Sequence, residues 1–300
     1  MDTPAPLCAA VGMFDGVHIG HRSLIANVCD AASARGFTPA VFTFDIHPLE
    51  IVAPERSPKL ICTLDERVAL LRESGIKQVE VLRFDNDMRR LSSEDFMAML
   101  RQKYDVEALV VGFNHRFGHG ASGSFDHYRQ YGRGIGIDVI QASECEKAGV
   151  SSTAIRLMLA QGQVDHAAAL LARPFRLSGI VEHGHKLGRT IGFPTANIHV
   201  DPRVILPAPG VYATKAVLPD GSVWPAMVNI GVRPTVDNST QPPVTVEAHI
   251  IGFSGNLYDR TISLDFISFI RPERRFASTD DLAARLAADR DATLNIISNR

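Results

Sequence analysis

Two architectures in series are predicted for this chain: an α/β unit on a mostly parallel sheet, then an antiparallel β unit closed into a small barrel. Three observations predict them. In the first half, short apolar or β-branched runs alternate with helical patterns, as βα units do when helices cover both faces of a parallel sheet. Beyond Arg173-Pro174 the texture changes to short strands parted by Gly-, Pro- and Asp-rich turns. The length, 300 residues, is enough for two domains with separate cores. The boundary is placed at Ala172, giving domains 1–172 and 173–300.

The elements follow in order. Leu7 to Met13 is an apolar first strand, and after an Asp15-Gly16 turn Leu24, Ile25, Val28, Ala31 and Ala32 follow a helical pattern. Pro39 to Phe44 is a β-branched and aromatic strand. Thr63-Leu-Asp-Glu66 is a capping box that opens a helix through Leu70 and Leu71, ended by Gly75. Val79 to Phe84 is the next strand, and Ser92-Ser-Glu-Asp95 caps a helix with Phe96 and Leu100 inward. Ala108 to Val111 and Gly136 to Gln141 complete the sheet, and Ser151 to Leu171 turns helical. In the second half, Gly210–Leu218 and Ser222–Ile230 form a hairpin about Pro219-Asp220-Gly221. Val244–Ile251 and Thr261–Ile270 are further strands. Ser278-Thr-Asp-Asp281 caps a last helix carrying Leu282, Leu286, Leu294 and Ile297.

Composition excludes several classes. Hydrophobic residues at 45% and charged residues at 21% are those of a soluble globular protein. A net charge of -2 without a basic tract argues against a nucleic-acid partner. The four cysteines include no Cys-x-x-Cys pair, so neither a zinc site nor a redox dithiol is expected. No run approaches the ~20 apolar residues of a membrane span, and Met-Asp-Thr-Pro does not open a signal peptide. The expectation is a cytoplasmic protein with no membrane partner. Its oligomeric state stays open, a homo-oligomer included.

The first chemistry-bearing stretch runs from Gly12 to His21. A strand, a glycine turn and a helix start together make an anion site, because the first helical N–H groups point outward unpaired. Gly12, Phe14, Asp15, Gly16 and Gly20 shape that site for phosphate, and His18 and His21 add donors. In a parallel sheet the ligand loops follow the strands, here Phe14–His21, Asp45–Pro48 and Gly112–Gly120.

Phe14-Asp-Gly-Val-His18-Ile-Gly-His21 resembles the HxGH signature of nucleotidyltransferases, in the form found in flavin adenylyltransferases. Thr43-Phe44-Asp45-Ile46-His47-Pro48 is similar to that family's second flavin-side loop, with Ile46 where proline is usual. Val111-Gly-Phe-Asn114-His115-Arg116-Phe-Gly118 is similar to its Gly-x-Asp-Phe-Arg-Phe-Gly loop, with Asn114 replacing an acid and His115 an aromatic residue. The resemblance implies flavin contacts at Asp45, His47, Pro48, Asn114 and Arg116. Val150-Ser151-Ser152-Thr153-Ala154-Ile155-Arg156 resembles the SSTxIR motif, which implies phosphate contacts from Ser151, Ser152, Thr153 and Arg156.

The second half carries Gly184-His185-Lys186-Leu-Gly188-Arg189-Thr-Ile-Gly-Phe193-Pro194-Thr195-Ala196-Asn197. Its glycine spacing is one residue short of a P-loop, with Arg189 in place of the lysine. A glycine-rich turn there still offers backbone amides to phosphate, and Thr195 and Asn197 offer neutral oxygens to a hard cation such as Mg²⁺. The stretch resembles the GRxIGFPTAN signature of riboflavin kinases. The resemblance implies ATP-phosphate binding by Gly184, His185, Lys186, Gly188 and Arg189. It also implies a catalytic base at Glu247, which precedes Phe253-Ser-Gly-Asn-Leu-Tyr258. A neutral hydroxyl needs such a proton acceptor. Strand alternation sets Glu247 on one face with Thr245 and His249.

Nearly the whole chain is thus similar to the bifunctional family of riboflavin kinase and FAD synthetase. That implies a Rossmann-like nucleotidyltransferase domain and a six-stranded antiparallel β-barrel with a C-terminal helix. It implies riboflavin, FMN, FAD and ATP as substrates and products, with Mg²⁺. Two alternatives stay open on the sequence: a single live activity, the kinase, given Ile46 and Asn114, or a flavin-binding regulator with vestigial sites.

Overall fold

The computed structural model describes residues 5–112, 117–121, 123–143, 150–183, 188, 191–232 and 244–299. In the first half, β1 (Leu7–Val11), β2 (Thr38–Phe44), β3 (Gln78–Leu82), β4 (Val106–Val111) and β5 (Asp138–Gln141) form one parallel sheet, ordered β3-β2-β1-β4-β5. Cys8, Ala9 and Ala10 of β1 and Ala40, Val41 and Phe42 of β2 are fully buried, as strands covered on both faces must be.

Alternate residues feed two cores. Ala9, Val11 and Phe42 pack with Phe96, Met97 and Leu100, while Cys8, Ala10 and Val41 pack with Ile25, Val28 and Leu71. The helices that supply these partners are α1 (Ile19–Arg35), α2 (Leu49–Val52), α3 (Leu64–Glu73), α4 (Asn86–Arg90), α5 (Ser93–Tyr104) and α6 (Phe125–Ile135), of which α2 and α4 are single short turns without buried residues. Helix α3 starts at the expected capping box: Thr63 accepts the Glu66 N–H at 3.3 Å and Glu66 accepts the Thr63 N–H at 3.0 Å. Such a cap is worth roughly 1 kcal/mol. The strand order reverses at β1, which leaves a crevice at the carboxyl ends of the strands.

The second half closes into a six-stranded antiparallel barrel, ordered β10-β7-β6-β11-β8-β9. Its strands are β6 (Phe175–Glu182), β7 (Ala196–Val200), β8 (Gly210–Val217), β9 (Val223–Val232), β10 (Val244–Ile250) and β11 (Thr261–Arg271). Phe175, Leu177 and Val181 of β6 and Val246, Ala248 and Ile250 of β10 point inward at period two. Ile155 and Leu159 of α7 (Ser152–Ala160) and Val164, Ala167 and Leu171 of α8 (Val164–Leu171) complete that core. The last helix, α9 (Thr279–Ser298), lies against β8, β9 and β11 on the outside.

Packing divides the chain into two units. One comprises Met1–Lys59 with Thr63–Ser151, the other Leu60–Cys62 with Ser152–Arg300. The short segment 60–62 joins the second unit through Leu60, whose N–H donates to Arg203 at 2.7 Å. Cys8, Cys29 and Cys62 are free thiols, and burial pushes Cys8 up to about 11, which keeps it unreactive. No described helix is long and apolar enough to cross a membrane.

Candidate active sites

In the first unit, β1 hands the chain to a buried turn. The Val17 N–H donates to the Phe14 carbonyl at 3.0 Å, so Asp15 and Gly16 occupy the centre of the turn. Phe14 (φ 51) and Val17 (φ 42) hold left-handed conformations, which side-chain-bearing residues adopt only where the surroundings enforce them. Enforcement is visible here: Phe14, Asp15, Val17 and His18 are all buried.

His18 is the N-cap of α1, and its Nδ1 accepts the His21 N–H at 3.3 Å. An Nδ1 that accepts leaves the proton on Nε2, so this imidazole presents a donor. The His18 and His21 rings stack with centroids 3.7 Å apart. Gly20 keeps room beside them, since a Cβ there would crowd the His18 ring at 3.2 Å. The sequence motif thus becomes a pair of stacked imidazoles at a helix N-terminus whose first turn holds no acid.

Beside this loop lies a cavity of ≈ 600 Å³ at the carboxyl ends of the strands. Gly12, His47 and Pro48 line it, as do Phe44, Phe84 and Phe117. Phe44 and Phe84 meet edge to face at 5.3 Å, giving an apolar wall suited to a flat ring system. Asp45 does not line the cavity. Its carboxylate accepts the N–H groups of Ile46 at 2.9 Å and Phe84 at 2.8 Å, tying the ends of β2 and β3 together. His47 is fixed locally: its N–H donates to Glu50 at 3.1 Å and its Nδ1 accepts from the Leu49 N–H at 3.2 Å. Asn114 and Arg116 lie outside the described residues. Ser151, exposed, ends the first unit; Ser152, Thr153 and Arg156 sit on α7 in the second.

In the second unit, Gly188 closes a tight loop by accepting the Phe193 N–H at 2.8 Å. A Cβ on Gly188 would lie 2.2 Å from the Phe193 carbonyl oxygen, so only glycine fits. Gly184, His185, Lys186 and Arg189 lie outside the described residues. The loop delivers Thr195 and Asn197 to the start of β7. Glu247 on β10 stands directly opposite Asn197 on β7 and Asn229 on β9, which makes a polar row across three strands. The row is on the barrel's outer face, since Val246 and Ala248 occupy the inner one.

Helix α9 lies on that outer side, against β8, β9 and β11. Between it and the barrel lies a cavity of ≈ 340 Å³, with Glu247 and Asn229 on one side and Phe276, Leu282 and Leu286 on the other. A second cavity of ≈ 120 Å³ is lined by Pro194, Phe253, Leu257 and Tyr258. Thr195 borders both. His249, two residues from Glu247, donates from Nδ1 to the Pro194 carbonyl at 2.8 Å and so holds the Thr195 loop against β10. Its alternation with Glu247 was the one signal of that role in the sequence. Asn229, Phe276 and the α9 leucines carried none, because they meet Glu247 only in three dimensions.

Comparison with known proteins agrees with both halves. Residues 2–154 match the family model described as FAD synthetase, and residues 171–297 match that described as riboflavin kinase. The bifunctional riboflavin kinase/FMN adenylyltransferase of Escherichia coli K12 is 38% identical over 282 residues, covering 93% of this chain and 89% of the relative. That of Bacillus subtilis is 32% identical over 292 residues, covering 97% and 92%. A crystal structure described as a macrolide-efflux protein from Streptococcus pneumoniae superimposes with a TM-score of 0.88 at 30% identity, covering 98% of this chain and 96% of the other. With two matched domains in this order and relatives aligned over nearly their full length, the chain belongs to the bifunctional riboflavin kinase/FMN adenylyltransferase family.

Proposed function

We propose that the chain converts riboflavin to FAD in two ATP-dependent steps, with the kinase assigned to residues 173–300 and the adenylyltransferase to residues 1–172. In the first step the ribityl hydroxyl gives its proton to Glu247 while its oxygen attacks the γ-phosphorus of ATP. The bond to the β-phosphate oxygen breaks, and FMN and ADP result. The observation that carries this assignment is the placement of Thr195 on both cavities, with Glu247 on the larger. The larger cavity, with Phe276 and the α9 leucines, suits the flavin ring; the smaller, beside Phe253 and Tyr258, has room for a nucleobase at most. Gly188 and the residues 184–186 and 189 keep the phosphate role that their motif suggests.

Thr195 and Asn197 would hold a magnesium ion carried by the nucleotide. Both offer neutral oxygens, the donors a hard cation takes when phosphates supply the charge. When bound, the ion neutralises charge on the transferring phosphoryl group.

In the second step an oxygen of the FMN phosphate attacks the α-phosphorus of ATP and pyrophosphate leaves. A phosphate monoester has a second pKa of about 6, so the nucleophile is already ionised at neutral pH and needs no base. The first unit accordingly supplies position and electrostatics. His18 donates through Nε2, and His21 and the first N–H groups of α1 face the same charge. Gly12 to Gly20 shape the phosphate loop, His47 and Pro48 border the flavin ring, and Ser151, Ser152, Thr153 and Arg156 keep the phosphate role of their motif. Asp45 acts through the loop ends it ties, and Asn114 and Arg116 keep a flavin role on resemblance alone.

The test is direct. Purified protein is incubated with riboflavin, ATP and Mg²⁺, and the flavins are resolved chromatographically. FMN followed by FAD is expected. FMN without FAD would remove the adenylyltransferase assignment, and bound riboflavin without turnover would remove both.

A further inference from the structure

We infer that Arg67 is a positioning residue for adenylyl transfer, setting the spacing between the phosphate loop and the aromatic wall of the flavin cavity. The inference rests on the adenylyltransferase reading of the first unit. Arg67 stands in the first turns of α3 and is only 2% exposed. Arginine stays charged inside a protein, and a buried charge is tolerated only where its donors are matched.

The two terminal nitrogens of the guanidinium are matched to two particular carbonyls. Nη1 donates to Met13 at 2.9 Å and lies 3.1 Å from the Met13 sulfur, while Nη2 donates to Phe44 at 2.6 Å. The last backbone rung between β1 and β2 runs from the Gly12 N–H to the Phe42 carbonyl at 3.0 Å. Past that rung the two chains part, one into the Phe14–Val17 turn and the other into Asp45–Pro48. Arg67 takes over as the cross-tie where they part. The Thr43 hydroxyl adds a second donor to the Met13 carbonyl at 3.1 Å.

Met13 and Phe44 both line the ≈ 600 Å³ cavity, whereas Arg67 does not. It therefore grips two wall residues from behind without touching substrate. The gap it fixes separates the stacked histidines' loop from the Phe44 face. In-line attack requires the reacting atoms to be held about 3–3.5 Å apart, and a misplacement of about 1 Å costs about 100-fold in rate. A planar two-pronged donor can hold both carbonyls at once; a lysine ammonium is a point donor and cannot reproduce that fork.

The test compares wild type, Arg67→Met, Arg67→Lys and His18→Ala in FMN-to-FAD turnover, with riboflavin-to-FMN turnover on the same preparations as the check of the second unit. Arg67→Met is expected to lose about 100-fold in kcat, with KM for FMN and ATP within about threefold. Arg67→Lys is expected to recover only part of that loss. A folded Arg67→Met with kcat near wild type, or a KM rise at constant kcat in either variant, would overturn the inference. If Arg67→Met fails to fold, Arg67→Lys decides: kcat near wild type sinks the proposal. FAD made by Arg67→Met at the wild-type kcat, with the rate lost in His18→Ala, removes this inference alone. No FAD from wild type removes the reading beneath it.

Discussion

The imidazoles of His18 and His21 stack face to face, centroids 3.7 Å apart and planes 16° from parallel. Capping builds the stack, because the His18 Nδ1 takes the His21 N–H and thereby aligns one ring over the other. Each ring holds its neighbour's orientation. Substituting either histidine by alanine is therefore expected to lower FAD formation by about 10²–10³-fold while FMN formation persists. The double variant should cost little more than either single one, since the pair acts as a unit. Turnover of FMN and of riboflavin, measured separately on the three variants, checks both statements.

Glu247→Gln keeps shape and removes the proton acceptor proposed for the kinase step. Riboflavin phosphorylation should fall by about 10²–10⁴-fold, and riboflavin binding should survive. Supplied FMN should still be converted to FAD at the wild-type rate. Fluorescence titration with riboflavin, beside the two activity assays, separates loss of base from loss of site.

Asp289 anchors α9. Its side chain is wholly buried and receives Arg271 through Nε at 2.8 Å and Nη2 at 2.7 Å. Arg285 Nε lies 2.9 Å from the other oxygen, close enough for charge pairing but misaligned for a hydrogen bond. Removing one partner of a buried pair leaves the other uncompensated, at roughly 3–5 kcal/mol. Asp289→Ala is expected to lower the thermal transition of the second unit and to raise KM for riboflavin. FAD formation from FMN at moderate temperature should be untouched.

Acid stability has a local contributor in Glu94. Its own backbone N–H, then the Ser93 hydroxyl and His127, hold the carboxyl down from 4.5 to about 2. A carboxylate depressed on folding adds stability above its unfolded pKa, and that contribution is lost as pH falls through the folded value. Wild type should therefore exceed Glu94→Gln in Tm at neutral pH, with the gap closing between pH 4.5 and about 2. Thermal melts at a series of pH values read that gap. A constant gap would count against it.

Local signals in the sequence located most elements. The caps at Thr63, Ser92 and Ser278 stand where their side-chain spacing puts them, each accepting an N–H of the first turn. Helix α6 was not read from the sequence, because Gly132 and Gly134 lower its helix propensity even though its apolar residues keep to one face. Strands β6 and β7 were visible only as a change of texture, since the glycine-rich stretch between them hides the alternation. The turn and helix start of Gly12–His21 were legible because the residues that build them are contiguous. The neighbouring cavity was legible as a place, since the loops after β2 and β4 line it through His47, Pro48 and Phe117, but its aromatic wall of Phe44 and Phe84 was not. Arg67 carried no signal in the sequence, and only tertiary packing shows it turned inward. Asp45 illustrates the converse, a motif residue whose carboxylate is spent on the loops' own N–H groups.

The wall that α9 gives to the Glu247 cavity also orders events during synthesis. Leu282 and Leu286 emerge from the ribosome after every strand of the barrel. The parallel sheet and its phosphate loop are complete more than a hundred residues earlier, by Ser151. A nascent chain can therefore shape the cavity beside β1 and β2 while the Glu247 cavity still lacks one side. The parallel-sheet half is complete before the barrel half is closed.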